Sequence, residues 1–165
     1  MDLERIVSFY KNTIKNTSTM NEYGRWVFGL HPTYEMIKDY VDNESMFLLE
    51  EHGVIIAAAA VTLSQDVDYH SISWTKDLND NDVAVVHILC VAPEMQNSGI
   101  GREMMQFIIR FCTEERKSAI RLDALCCNIP AQRLYESLGF RKCGERNCYA
   151  ANTGWITFYY FELIL

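Results

Sequence analysis

The chain has 165 residues, 49% hydrophobic and 22% charged, with fifteen basic and twenty-two acidic side chains and a net charge of −7. That length suits one domain spanning residues 1–165, able to bury about 68–70% of its unfolded surface. The acidic balance argues against a nucleic-acid partner, which needs a basic excess or stripe, and mildly favours a cationic one such as an amine. The N-terminus opens on acids without a signal-length apolar core. The longest apolar run, Val54 to Leu63, falls well short of the ~20 residues of a spanning helix. No membrane partner is expected, and the cytoplasm is the default compartment. Six cysteines, at 90, 112, 126, 127, 143 and 148, form no CxxC pair. They read as reduced, structural residues, and no metal site is expected.

Leu3, Ile6, Val7, Tyr10 and Ile14 recur at helical spacing from Asp2 to about Lys15. After a polar break at Asn16 to Asn21, Thr33 is the natural cap of a second helix with Met36, Ile37, Tyr40 and Val41 inside. Ser45 to Glu50 and Val54 to Leu63 read as strands joined through Glu51-His52-Gly53. A charged loop, Asp77 to Asp82, precedes Val83 to Val91, which is apolar on both alternating faces, as a strand covered on both sides should be. Ile100 to Lys117 is helical again, with Ile100, Met104, Phe107, Ile108 and Phe111 on one face. A strand at Ala119 to Leu125 and a short helix at Pro130 to Leu138 follow. Phe140 to Tyr149 and Trp155 to Ile164 close the chain as strands. This order predicts an α/β (α+β) domain: a mixed, mostly antiparallel sheet with one parallel crossover, flanked by helices.

Between the apolar strand and the long helix lies Pro93-Glu94-Met95-Gln96-Asn97-Ser98-Gly99-Ile100-Gly101-Arg102. The first N–H groups of a helix lack internal partners and sit at the positive end of its dipole, so an anion fits there. Gly99 and Gly101 keep the backbone open, and the bland alternative is close packing of helix on sheet. The loop is neither a Walker A loop nor a three-glycine dinucleotide loop.

Gln96-Asn97-Ser98-Gly99-Ile100-Gly101 resembles the Gln/Arg-x-x-Gly-x-Gly/Ala motif of the GCN5-related N-acetyltransferase (GNAT) superfamily. Asn128-Ile129-Pro130-Ala131-Gln132-Arg133-Leu134-Tyr135-Glu136-Ser137-Leu138-Gly139-Phe140 is similar to the family's Asn-x-x-Ala-x-x-Leu-Tyr-x-x-x-Gly-Phe signature. The resemblance covers about Val83 to Phe140. It implies a GNAT-like fold and acetyl-CoA as co-substrate. The pyrophosphate would lie on Gln96, Asn97, Ser98, Gly99, Ile100, Gly101 and Arg102. The pantetheine would pair with the strand at Leu89, Cys90 and Val91 and with Asn128. Tyr135 would sit beside the thioester sulfur. Asn97 stands where many members have glycine, and Asn tolerates unusual backbone angles. The family's usual first strand is not evident before the opening helix.

Attack of an amine on a thioester expels a thiolate, which leaves more readily beside a proton donor. A phenol near pKa ~10 facing a thiol near ~8.5 donates uphill, so Tyr135 is expected to act by hydrogen bonding to the developing thiolate. The amine must be neutral to attack, and His87, four residues before Val91, is the candidate base. The bland reading of a lone strand histidine is a hydrogen-bonded core residue. Glu44, Asp66, Asp68 and Asp82 are acids near loops, and nothing in the sequence brings them to the site.

By the resemblance, acceptor choice lies in residues 16–40 and 147–155. Their aromatic side chains serve equally as a pocket, as packing or as a homodimer contact. The expected function is transfer of an acetyl group from acetyl-CoA to a primary amine of a small molecule, peptide or protein, by direct attack. A longer-chain acyl-CoA transferase and a non-catalytic CoA-binding or sensory module are the alternatives.

Overall fold

The computed structural model describes residues 2–165. Its elements run α1 (Leu3–Asn16), α2 (Tyr34–Asp42), β1 (Met46–Glu51), β2 (Val54–Thr62), β3 (Val83–Val91), α3 (Ile100–Glu114), β4 (Ala119–Leu125), α4 (Ile129–Ser137), β5 (Arg141–Ala150) and β6 (Gly154–Ile164). Among the described residues no strand precedes α1. The six strands form one sheet in the order β1-β2-β3-β4-β6-β5, antiparallel throughout except for β3 and β4. That parallel pair is joined through α3, the crossover that the strand–helix–strand pattern requires.

Helices cover both faces. Ala57, Ala59 and Val61 of β2 meet Met104, Met105 and Ile108 of α3, while Ala58 and Ala60 meet Ile6, Val7 and Tyr10 of α1. The four consecutive alanines are completely buried. Their small side chains let α1 and α3 approach the sheet from opposite sides. Asp2 caps α1 by accepting from the N–H groups of Glu4 and Arg5, and Thr33 caps α2 through the Met36 N–H. One assignment on α3 needs correction. Phe107 is 43% exposed, and the buried stripe is Met104, Met105, Ile108 and Cys112. Phe107 sits one position off that stripe and covers Phe47 at 5.9 Å from the rim.

β3 and β4 pair over three rungs only, ending at Val85↔Arg121. Beyond them β3 stays with β2 and β4 with β6, so the strands part along their inner edges. A bulge accompanies the parting: Ala58 faces Cys90 and Ala60 faces His87, leaving two residues of β3 opposite one of β2. Ile88 takes φ +44° there, a costly conformation for a β-branched residue. The fully buried Tyr10 hydroxyl donates to the Ile88 carbonyl at 2.8 Å and secures it. The bulge also exchanges the faces: Val86 and Leu89 look toward α3, and Ile88 toward α1.

Residues 64–82, between β2 and β3, are clamped by Arg121, which is 1% exposed. Its guanidinium donates to Glu162 at 2.8 and 3.0 Å, to Gln65 at 2.6 Å and to the Lys76 carbonyl at 3.1 Å, and lies 4.1 Å over the Trp74 ring. Removing one partner of a buried pair strands the other charge. Glu162→Ala is expected to cost about 3–5 kcal/mol in urea denaturation. Glu145→Ala, at the exposed Lys142–Glu145 pair, should leave stability nearly unchanged. Similar small effects at both positions would contradict the clamp.

Candidate active site

The parting of β3 and β4 opens into a cavity of about 750 Å³. One wall carries the loop after β3. Pro93 to Met95 form a single tight turn, Asn97 and Gly99 take φ +61° and +94°, and Glu103 N–H to the Gly99 carbonyl is the first bond of α3. The backbone N–H groups of residues 97–102 meet no backbone acceptor among the described residues. Left-handed residues followed by a helix N-terminus aim such donors together, a concave site for an anion.

The two glycines do different things. A Cβ on Gly99 would meet nothing within 4 Å, so glycine serves the positive φ. A Cβ on Gly101 would come 3.4 Å from Leu134 and 3.6 Å from Val91, so glycine there seats α3 closely on its neighbours. Gln96 turns inward, donating through Nε2 to the Val91 carbonyl at 3.1 Å and to Thr17 Oγ1 at 2.9 Å. It braces the loop. Ser98 is likewise engaged with the Met95 carbonyl at 2.5 Å. Arg102 reaches Ser137 of α4 at 2.6 Å and stays at the cavity wall. Cys90 and Ile100 do not line the cavity: Cys90 pairs with Ala58 of β2 and is buried against α1, where burial raises its thiol to about 12, and Ile100 packs toward the core.

The second motif forms the opposite wall. Asn128 caps α4, its Oδ1 accepting from the Ala131 N–H at 3.3 Å, with its amide nitrogen uncommitted toward the cavity. Gln132 Nε2 donates at 3.0 Å to both the Leu125 and Cys126 carbonyls, tying α4 to the end of β4. Gly139 at φ +94° ends α4, with its N–H on the Glu136 carbonyl and that of Phe140 on the Tyr135 carbonyl. The Tyr135 ring is buried against Phe140 and Phe161. Its hydroxyl has no protein partner among the described residues, nor is it sealed from the cavity it lines. Burial foremost, and the charge of Asp123 next, push this phenol well above its ordinary value.

His87 lines the same cavity. It stacks on Tyr40 at 5.5 Å and shares a 3.1 Å hydrogen bond with Thr62 Oγ1. Burial lowers its imidazole to about 4, against an opposing effect of Asp66. Glu44, Asp66, Asp68 and Asp82 do not line the cavity. The acid that does is Asp123 of β4, two residues beyond the last β3–β4 rung, as His87 is on β3. Sequence reasoning passed over it as one polar residue in an apolar strand. The available signal was that interruption, Leu122-Asp123-Ala124. Tyr69 donates to Asp123 Oδ1 at 2.7 Å, and burial raises the carboxyl.

His87 is neutral when folded and takes a proton more readily when unfolded, so its contribution to stability is lost as pH falls from 6.5 through about 4. In denaturant titrations, His87→Asn is expected to flatten that decline by an amount on the order of 3 kcal/mol across the window. Identical pH slopes for the two proteins would contradict the burial of this imidazole.

Comparison with known proteins bears on the same segments. The acetyltransferase (GNAT) family model matches residues 14–140. A mycothiol acetyltransferase of Acidothermus cellulolyticus is 29% identical over 124 residues, which are 74% of this chain and 37% of that protein. The chain thus spans little more than a third of that relative's length. An acetyltransferase of the GNAT family from Streptococcus agalactiae superposes with a TM-score of 0.80 at 17% identity, covering 99% of this chain and 90% of that one. YncA from Salmonella typhimurium, solved with its cofactor acetyl-CoA, superposes with a TM-score of 0.66 at 17% identity, covering 100% and 91%. At such identities the structural likeness speaks to the fold alone.

Proposed function

The chain belongs to the acetyltransferase (GNAT) family, and from that premise we propose that it transfers an acetyl group from acetyl-CoA to a primary amine by direct attack. The observation that carries this reading is the convergence of both motifs on one cleft. The unpaired N–H groups of residues 97–102 lie at one end and the Tyr135 hydroxyl stands free inside it. Acetyl-CoA supplies the activated thioester carbonyl. Its pyrophosphate is assigned to the N–H cradle, with Arg102 beside it. The amides of its pantetheine arm are assigned to the inner edge of β3 at residues 89–91, where Gln96 already holds the Val91 carbonyl, and to the free amide nitrogen of Asn128. An extended chain with alternating donors and acceptors completes such an open strand edge.

Chemistry at the acceptor end follows from the two side chains that flank the parting. The ammonium gives one proton to Asp123, and the neutral nitrogen attacks the thioester carbonyl. The nitrogen of the resulting adduct, more acidic than the free ammonium, gives its second proton to the neutral His87. Collapse breaks the C–S bond and places the electron pair on sulfur, where Tyr135 donates a hydrogen bond. The His87 imidazolium then gives its proton to the thiolate and Asp123 passes the other to water, so the balance is one amide, one thiol and one proton released. Because burial raises the Tyr135 phenol, full transfer of its proton to sulfur is uphill, and its role is hydrogen-bond stabilisation of the thiolate.

Tyr135→Phe removes that single donor and keeps the ring. The expected result is a fall in kcat of about 10²-fold, with the Kd for acetyl-CoA unchanged within about twofold. An unaltered kcat would remove Tyr135 from the mechanism.

A further inference from the structure

The acceptor end of the cleft carries a carboxylate. Among the described residues, three charged side chains line the cavity: Arg102, Arg133 and Asp123. Both arginines belong to α3 and α4, and Arg133 lies close enough to Tyr23 for its charge to reach that phenol. Asp123 belongs to the face of the sheet away from α3. Its neighbours Leu122 and Ala124 pack toward α3, and Asp123 itself turns to Tyr69. Only Oδ1 has a hydrogen-bond donor, and the carboxylate has no ion-pair partner among the described residues. A half-buried carboxylate with one oxygen open to a cavity calls for a cationic ligand, because desolvated charge without a counterpart is unfavourable. The surrounding walls are aromatic, with Tyr23, Trp26 and Tyr40, surfaces that hold an apolar body or the rim of an ammonium.

The opening at this end is also bridged. Asn152, in the turn between β5 and β6, donates through Nδ2 to the Arg25 carbonyl at 2.8 Å. Cys127 Sγ, after β4, approaches the Tyr23 carbonyl at 3.6 Å. Both contacts cross from the far half of the sheet to the segment between α1 and α2. A polypeptide laid across the site would have to break them.

We infer that the acceptor is a small amine with an aromatic or apolar body and no carboxylate beside its nitrogen, the chemical class of the arylalkylamines, held by Asp123 beneath the Asn152–Arg25 bridge. The inference rests on the acetyl-transfer reading of the cleft. An amino acid brings its own carboxylate close to Asp123, and like charges placed together select against it.

Binding to the CoA-saturated protein, measured by calorimetry, tests this without requiring turnover. Phenethylamine is expected to bind about tenfold or more tightly than phenylalanine and than an octapeptide with a free N-terminal alanine. Asp123→Asn should bring phenethylamine and phenylalanine within about threefold of each other. Asn152→Ala should improve the peptide alone. Phenylalanine or the peptide binding as well as phenethylamine to the unaltered protein would overturn the inference, as would absence of phenethylamine binding. Free-thiol release from acetyl-CoA is measured separately. If phenethylamine binds selectively but no thiol is released, the transfer reading fails while the amine site stands.

Discussion

The parting of β3 from β4 is the constraint on which the rest of this molecule depends. Two parallel strands that share three rungs and then separate expose inner edges whose backbone groups are otherwise obligatory hydrogen-bonding partners. Each strand tolerates this because its outer edge remains paired, β3 with β2 and β4 with β6. The bulge at Ile88 makes the separation compatible with a buried sheet, and Tyr10 of α1 holds the bulge carbonyl from beneath. A helix on one face thereby fixes the backbone to which the donor is assigned.

Around that opening the sheet sorts chemistry by face. The α3 and α4 face carries the N–H cradle, Arg102 and the Tyr135 phenol, groups suited to phosphate and to charge developing on sulfur. The opposite face carries Asp123, His87 and aromatic walls, suited to an amine. The Arg121–Glu162 clamp lies outside the cleft yet belongs to the same arrangement. It fixes residues 64–82, and through them Tyr69, the single donor to Asp123 among the described residues. Trp74 links the two, stacked on Tyr69 at 5.9 Å while lying under the Arg121 guanidinium.

Much of this was legible from residue patterns. The apolar run of Val83 to Val91, the cap at Thr33, and the crossover through α3 all followed from local periodicity and turn chemistry, which report on nearest neighbours. Asn97 adopts the left-handed backbone that its residue type tolerates. What escaped was set by distant contacts. The bulge at Ile88 runs against the preference of a β-branched residue and exists because Tyr10, 78 positions away, secures it. Phe107 fits a helical stripe on spacing alone, but α3 buries Met104, Met105, Ile108 and Cys112 with the small side chains of β2. Asp123 gave only a polar interruption in a strand, and its meaning depends on where β3 leaves β4. Gln96 falls inside the glycine loop by sequence, yet its side chain braces α1 and β3.

The central claim is that the loop after β3 is a phosphate cradle serving a CoA-sized donor, and calorimetric titration tests it most directly. The comparison is acetyl-CoA, CoA and a pantetheine fragment lacking the phosphates. Several backbone dipole contacts of about 0.5 kcal/mol each sum to a difference of about 10²-fold in Kd. The account predicts that both CoA species bind with similar affinity and that the fragment loses about 10²-fold or more. Equal binding of the fragment, or no binding of either CoA species to folded protein, would contradict it.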